Sequence, residues 1–127
     1  MTEATLKSAL VKVIPEVMPG AVVQRHEDIF RKGGPDMSVT WNKMTSWWEV
    51  KYANPGFKST GIQKLTCQRL AEHGHCFYII YVENEKNVVI QDAKNLSEWM
   101  SSGFVIEGFN HKGVASFMYG QHWRQDR

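Results

Sequence analysis

Apolar residues near the start of the chain recur with a helical period. Leu6, Leu10, Val13, Ile14 and Val17 form one stripe, with Glu3 and Lys7 one turn apart on the polar side. This predicts a helix over residues 2–14, ended by Pro15 and Pro19-Gly20. Alternation then replaces the helical period. It predicts strands at about 21–29, 35–42 and 46–53. Gly33-Gly34-Pro35 divides the first two, Asn42 to Thr45 is short enough for a hairpin loop, and Asn54-Pro55-Gly56 stops the third. Thr60 to His73 reads as a helix, with capping-box spacing between Thr60 and Gln63 and Gly74 as its stop. Cys76 to Val82 is a continuous apolar run, as in a strand buried on both faces. Asn87–Ala93 is expected as another strand and Leu96–Met100 as a short helix. Phe104–Phe109 and Val114–Tyr119 are expected as a last hairpin around His111-Lys112-Gly113.

A helix between the third and fourth strands requires a crossover connection. The sheet is therefore mixed, with helices on its flanks, in an α/β fold. The 127 residues suit one domain, with a core over about 3–93 and a small C-terminal β addition over about 94–127. An apolar fraction of 43% is enough for one core, and 22% charged residues is ordinary for a globular chain. No apolar run approaches the ~18 residues that span a bilayer, so no membrane partner is expected. No basic-then-apolar leader opens the chain. Cys67 and Cys76 therefore read as reduced core thiols of a cytoplasmic protein. With His73 and His75 they match no common zinc spacing.

Net charge is only +2, but it is unevenly spread. Residues 21–75 hold eight Lys/Arg against five Asp/Glu, and residues 76–107 hold two against five. The basic half suits an anionic partner such as nucleic acid.

That half also holds the candidate chemistry. In the third strand Trp48, Val50 and Tyr52 fall on one face, and Trp47, Glu49 and Lys51 on the other. Glu49 and Lys51 thus share a face, roughly 7 Å apart at the backbone. In a hairpin, Asp36 at the start of the second strand lies near the far end of the third. Two carboxylates and an ammonium then converge. Two carboxylates make a hard oxygen site for Mg²⁺ or Mn²⁺. A lysine beside them can orient water or stabilise charge building on phosphorus.

Pro35-Asp36 followed by Glu49-Val50-Lys51 resembles the signature of the PD-(D/E)XK nucleases, and the order of elements resembles their αβββαβ restriction-endonuclease-like core. Gly34-Pro35-Asp36, Trp48-Glu49-Val50-Lys51 and Gly61-Ile62-Gln63 at the head of a helix look like the virus-type replication-repair nuclease branch (VRR-NUC). The likeness is to its small stand-alone form from phages and bacteria, and covers roughly residues 3–83. It implies that Asp36, Glu49 and the Val50 carbonyl hold the metal and that Lys51 positions the water. Gln63 would stand near the site, and Glu3 would match an acidic residue of the first helix. Arg25, His26, Lys58 and Lys64 would meet nucleic acid.

Plainer roles stand beside these. Glu49 and Lys51 could be a solvated pair, Gln63 a helix cap, Glu3 the partner of Lys7, and Trp47 a sheet-face aromatic rather than a base-stacking platform. The resemblance implies a Mg²⁺- or Mn²⁺-dependent endonuclease of branched, flap or junction DNA in a bacterial or phage-infected cell. The alternatives are a sequence-specific restriction-type endonuclease and a non-cutting nucleic-acid-binding module on the same fold. DNA against RNA stays open, and a homodimer is a reasonable expectation.

Overall fold

The computed structural model describes residues 2–26, 35–54, 56–57 and 61–124, with 61–64 and 124 described through their backbone alone. The order is α1 (Glu3–Val17), β1 (Val22–Arg25), β2 (Met37–Trp41), β3 (Met44–Ala53), α2 (Gly61–His73), β4 (His75–Val82), β5 (Asn87–Asp92), a 3-10 segment (Ala93–Glu98), α3 (Trp99–Ser102), β6 (Phe104–Glu107) and α4 (His111–Arg124). The end of the expected first strand, Gly33-Gly34 and Thr60 lie outside the described residues.

The six strands lie side by side in chain order. β3 and β4 run parallel, joined by the α2 crossover, and every other neighbouring pair is antiparallel. The β2–β3 loop is tighter than Asn42 to Thr45. Trp41 pairs with Met44, and Asn42 and Lys43 alone make the turn, at φ 54° and 63°. Two residues in the left-handed region match the right-handed twist of the flanking strands.

Alternation along the central strands sorts side chains onto two faces. Met37, Val39, Trp48, Val50, Phe77, Ile79 and Tyr81 pack with Leu6, Leu10 and Ile14 of α1 and Val114, Ala115 and Met118 of α4. On the other face Ala53, Cys76, Tyr78, Ile80 and Val82 meet Cys67 and Ala71 of α2 and Ala93 and Leu96 of the 3-10 segment. Cys67 and Cys76 are buried in that second cluster.

Two expected elements differ. Pro15 does not end α1, which runs on to Val17. Proline's fixed φ fits a helix, and the last turn closes through the Met18 N–H onto the Ile14 carbonyl at 2.8 Å. Val114–Tyr119 is not a strand but part of α4. The Asn110 side chain accepts from the Gly113 N–H at 2.9 Å and caps the helix start. Val114, Ala115, Met118 and His122 then recur on one helical face and are fully buried. The C-terminal segment thus completes the main core, with β6 as the one added strand seen among the described residues.

His122 pins α4 to the hairpin. Its Nδ1 lies 2.8 Å from the Trp41 carbonyl and its Nε2 2.8 Å from Ser46 Oγ. Ser46 Oγ also accepts from the Trp48 indole N–H at 2.6 Å. Burial holds the imidazole below its ordinary 6.5, though the Trp41 carbonyl opposes that shift. Unfolded chains then bind more protons as pH falls through 6.5, and the fold loses stability over that range. The gap in urea midpoint between the wild type and His122→Asn is predicted to narrow from pH 7 to pH 5, because only the wild type carries the buried imidazole. Equal slopes in the two proteins would show that His122 ionises inside the fold.

Candidate active site at the open edge of β3

β3 is twice as long as β2, ten residues against five. Its first half pairs with β2 as far as Trp48, opposite Met37. Beyond that it keeps only β4, from Ser46 to Ala53. Among the described residues the edge of β3 past Trp48 therefore lacks a strand partner. Continuing the register would set Pro35 opposite Val50, and proline has no N–H to give the Val50 carbonyl.

Side chains take over where the ladder stops. Asp36 Oδ2 accepts from the Val50 N–H at 2.8 Å. Glu3 Oε2, reaching from α1, accepts from the Tyr52 N–H at 3.1 Å. Buried backbone donors need partners, and charged acceptors are the strong ones. The N–H and carbonyl of one strand residue point to the same edge, so the Val50 carbonyl faces the same notch as Asp36.

Glu49 and Lys51 project from β3 on the α2 face. Glu49 is fully buried and Lys51 is 8% exposed. Glu49 Oε1 accepts from the Asp36 backbone N–H at 3.0 Å. Its Oε2 is buried and has no hydrogen-bond partner among the described residues, although the Lys51 ammonium stands 3.5 Å away. Burial pushes the Glu49 carboxyl up to about 9, with the neighbouring Asp36 carboxyl adding to the rise and Lys51 opposing it less strongly. A proton or a cation is what this carboxyl lacks.

The structure thus brings Asp36, Glu49, Val50 and Lys51 together, with Glu3 two residues along the same edge. Among the described residues no group of three or more His, Cys, Asp or Glu is arranged to hold an ion. Asp36, Glu49 and the Val50 carbonyl offer two carboxylates and a carbonyl, all hard oxygens. Their chemistry fits Mg²⁺ or Mn²⁺.

A chain of this shape is known. The structure of Archaeoglobus fulgidus Hjc, a Holliday junction resolvase from an archaeal hyperthermophile, matches with a TM-score of 0.58 at 12% identity, over 88% of this chain and 98% of that one. The fold is of the restriction-endonuclease type. No family model and no curated protein matches the chain. Among the described residues no helix is long and apolar enough to cross a membrane.

The basic residues divide. Arg25 reaches Ser8 of α1 at 3.5 Å, on the face away from Glu49. His26 turns to the other face, where its Nε2 is 2.8 Å from Ser38 Oγ and its ring lies 5.3 Å from that of Trp47. The His26 N–H also donates to the Asp36 carbonyl at 2.7 Å, so this pair of rings adjoins the acidic cluster. Gln63 and Lys64 open α2 but their side chains lie outside the described residues, as does Lys58. Lys7 pairs with Asp36 at 3.3 Å, a contact that its place one turn from Glu3 does not disclose.

Glu49 raised in the fold means stability present at low pH and lost as pH climbs from 4.5 through about 9. Glu49→Gln keeps the shape and the Oε1 acceptor without the buried charge. It is predicted to unfold at higher temperature than the wild type in metal-free buffer, with a gap that widens from pH 5 to pH 9. A gap constant with pH would contradict the burial of an ionisable Glu49.

Proposed function

We propose that this protein is a divalent-cation-dependent nuclease that cuts branched DNA. The observation that carries this reading is the junction of half-buried Asp36 and buried Glu49, locked by a 3.0 Å hydrogen bond beside the Lys51 ammonium, at a strand edge capped by side chains. Charged groups are seldom buried in this way without a chemical use. The resolvase-shaped fold supports branched DNA as the substrate class, and the VRR-NUC resemblance of the sequence points the same way.

In this reading Asp36, Glu49 and the Val50 carbonyl hold the cation. When bound, it supplies Lewis-acid polarisation of the phosphodiester and lowers the pKa of the attacking water. Lys51 orients that water and meets charge developing on phosphorus. Glu3 fixes the far end of the β3 edge through Tyr52. His26 and Trp47 flank the site on the α2 face, where a nucleotide next to the scissile phosphate would lie. Gln63, Lys58 and Lys64 keep the roles that the sequence resemblance implies for them.

A homodimer fits a substrate with two strands to cut. β6 is the outer strand of the sheet. It carries exposed Phe104 and Val105, beside Met100, which is 82% exposed. Edge strands usually carry charge or proline against self-association, and this one ends in a single Glu107. β6 is the proposed contact. Light scattering is predicted to give twice the mass of the chain for the wild type and the monomer mass for Val105→Lys. A wild-type monomer would remove the dimer from the proposal.

Cleavage is tested on labelled four-way junction, flap, linear duplex and single-stranded DNA, and on RNA, with Mg²⁺, Mn²⁺ or EDTA. Junction or flap cutting that needs the cation and drops at least about a hundredfold in Asp36→Ala and Lys51→Ala is expected. Cutting of linear duplex at one site would favour a restriction-type enzyme. Binding without cutting would leave a nucleic-acid-binding module, and neither would defeat the proposal.

A further inference from the structure

The acidic cluster is met by two ammonium groups, one from each side of the sheet. Lys51 stands by Glu49 on the α2 face. Lys7 comes from α1, on the opposite face, and its Nζ lies 3.3 Å from Asp36 Oδ1. The two side chains are only 12% and 19% exposed, so water screens the pair far less than it screens a surface ion pair. Asp36 Oδ2 is held at the same time by the Val50 N–H at 2.8 Å. Both carboxylate oxygens of Asp36 thus have a protein partner, one neutral and fixed in the strand, the other a full positive charge on a long side chain.

The charge of Asp36 disfavours the ionised form of Glu49. Lys7 and Lys51 bring two positive charges to this pair of carboxyl groups. A divalent cation at Asp36 and Glu49 would enter beside an ammonium already in contact with Asp36, and like charges at that range repel strongly where water is scarce.

We propose that Lys7 is a positioning residue with a second consequence: it holds Asp36 toward the β3 edge, and it competes with the divalent cation for that carboxylate. This rests on the reading of Asp36 and Glu49 as cation ligands. Lys7 sets how much cation the site requires, and its charge, not its bulk, is what matters. Lysine here makes the site reject weakly held cations and fill only when the stronger divalent charge is available.

The test is Mn²⁺ binding to the full chain without DNA, by titration calorimetry and by electron paramagnetic resonance of free Mn²⁺. Wild type is compared with Lys7→Met, Lys7→Gln and Lys7→Arg, and with Asp36→Asn as the control for the site. Removing the charge is expected to tighten Mn²⁺ binding on the order of tenfold in both neutral variants. Lys7→Arg is expected to stay close to the wild type. Circular dichroism identifies folded protein, and if one neutral variant fails to fold the other gives the comparison. A residue with only a structural role would leave the affinity unchanged, or weaken it by loosening Asp36, and either result overturns the proposal. An arginine variant that binds as tightly as the glutamine variant overturns it too, because charge would then not be the cause. Wild-type binding lost in Asp36→Asn, with no gain in either neutral Lys7 variant, would defeat this inference and leave the nuclease reading standing. No Mn²⁺ binding to any of the proteins would defeat both.

Discussion

Among the described residues half of β3 has no strand on one side, and the rest of the site follows from that. β2 leaves the ladder at Met37, and Pro35 could not have continued it. The N–H groups of Val50 and Tyr52 still need acceptors. Asp36, from just before β2, and Glu3, from the first turn of α1, supply them. One backbone requirement therefore draws two acids from distant parts of the chain to a single edge. It also leaves the Val50 carbonyl facing them. The Pro-Asp pair acts locally in two ways: proline ends the pairing, and aspartate takes the place of the missing strand.

Glu49 sits where a stable fold would prefer an apolar side chain. It is fully buried, one of its oxygens lacks a hydrogen bond, and Asp36 adds to its reluctance to ionise. Such departures from good packing are expected where chemistry is done. The surrounding structure compensates. Trp48 and Val50, on the opposite face of the same strand, are fully buried in the larger core. Trp48 stacks on Phe77 at 4.8 Å and is fixed at its indole N–H by Ser46. β3 is thus rigid on one face and electrostatically strained on the other.

Much of this was legible in the sequence because strands have a period of two. Alternation in Trp47 to Tyr52 placed Glu49 and Lys51 on one face, and the hairpin brought Asp36 to their end of the strand. The crossover rule gave the parallel β3–β4 pair. Contacts between distant segments were not legible. Nothing near Lys7 in sequence points to Asp36, and its spacing from Glu3 suggested a pair on the helix surface instead. α4 was misread because glycines at 113 and 120 and several aromatics mask its period. Its helical signal was Asn110 as a cap and buried positions 114, 115, 118 and 122. Pro15 reads as a stop in sequence, whereas its fixed φ fits the last turn of α1, which the Met18 N–H closes onto the Ile14 carbonyl.

In the proposed reading the edge of β3 is a cation site built from Asp36, Glu49 and the Val50 carbonyl. Anomalous scattering from crystals soaked in Mn²⁺ tests it most directly. A peak roughly 2.2 Å from oxygens of all three residues is predicted. A protein that cleaves DNA in the same Mn²⁺ buffer, with its anomalous peak elsewhere and Asp36 and Glu49 free of metal, would contradict it.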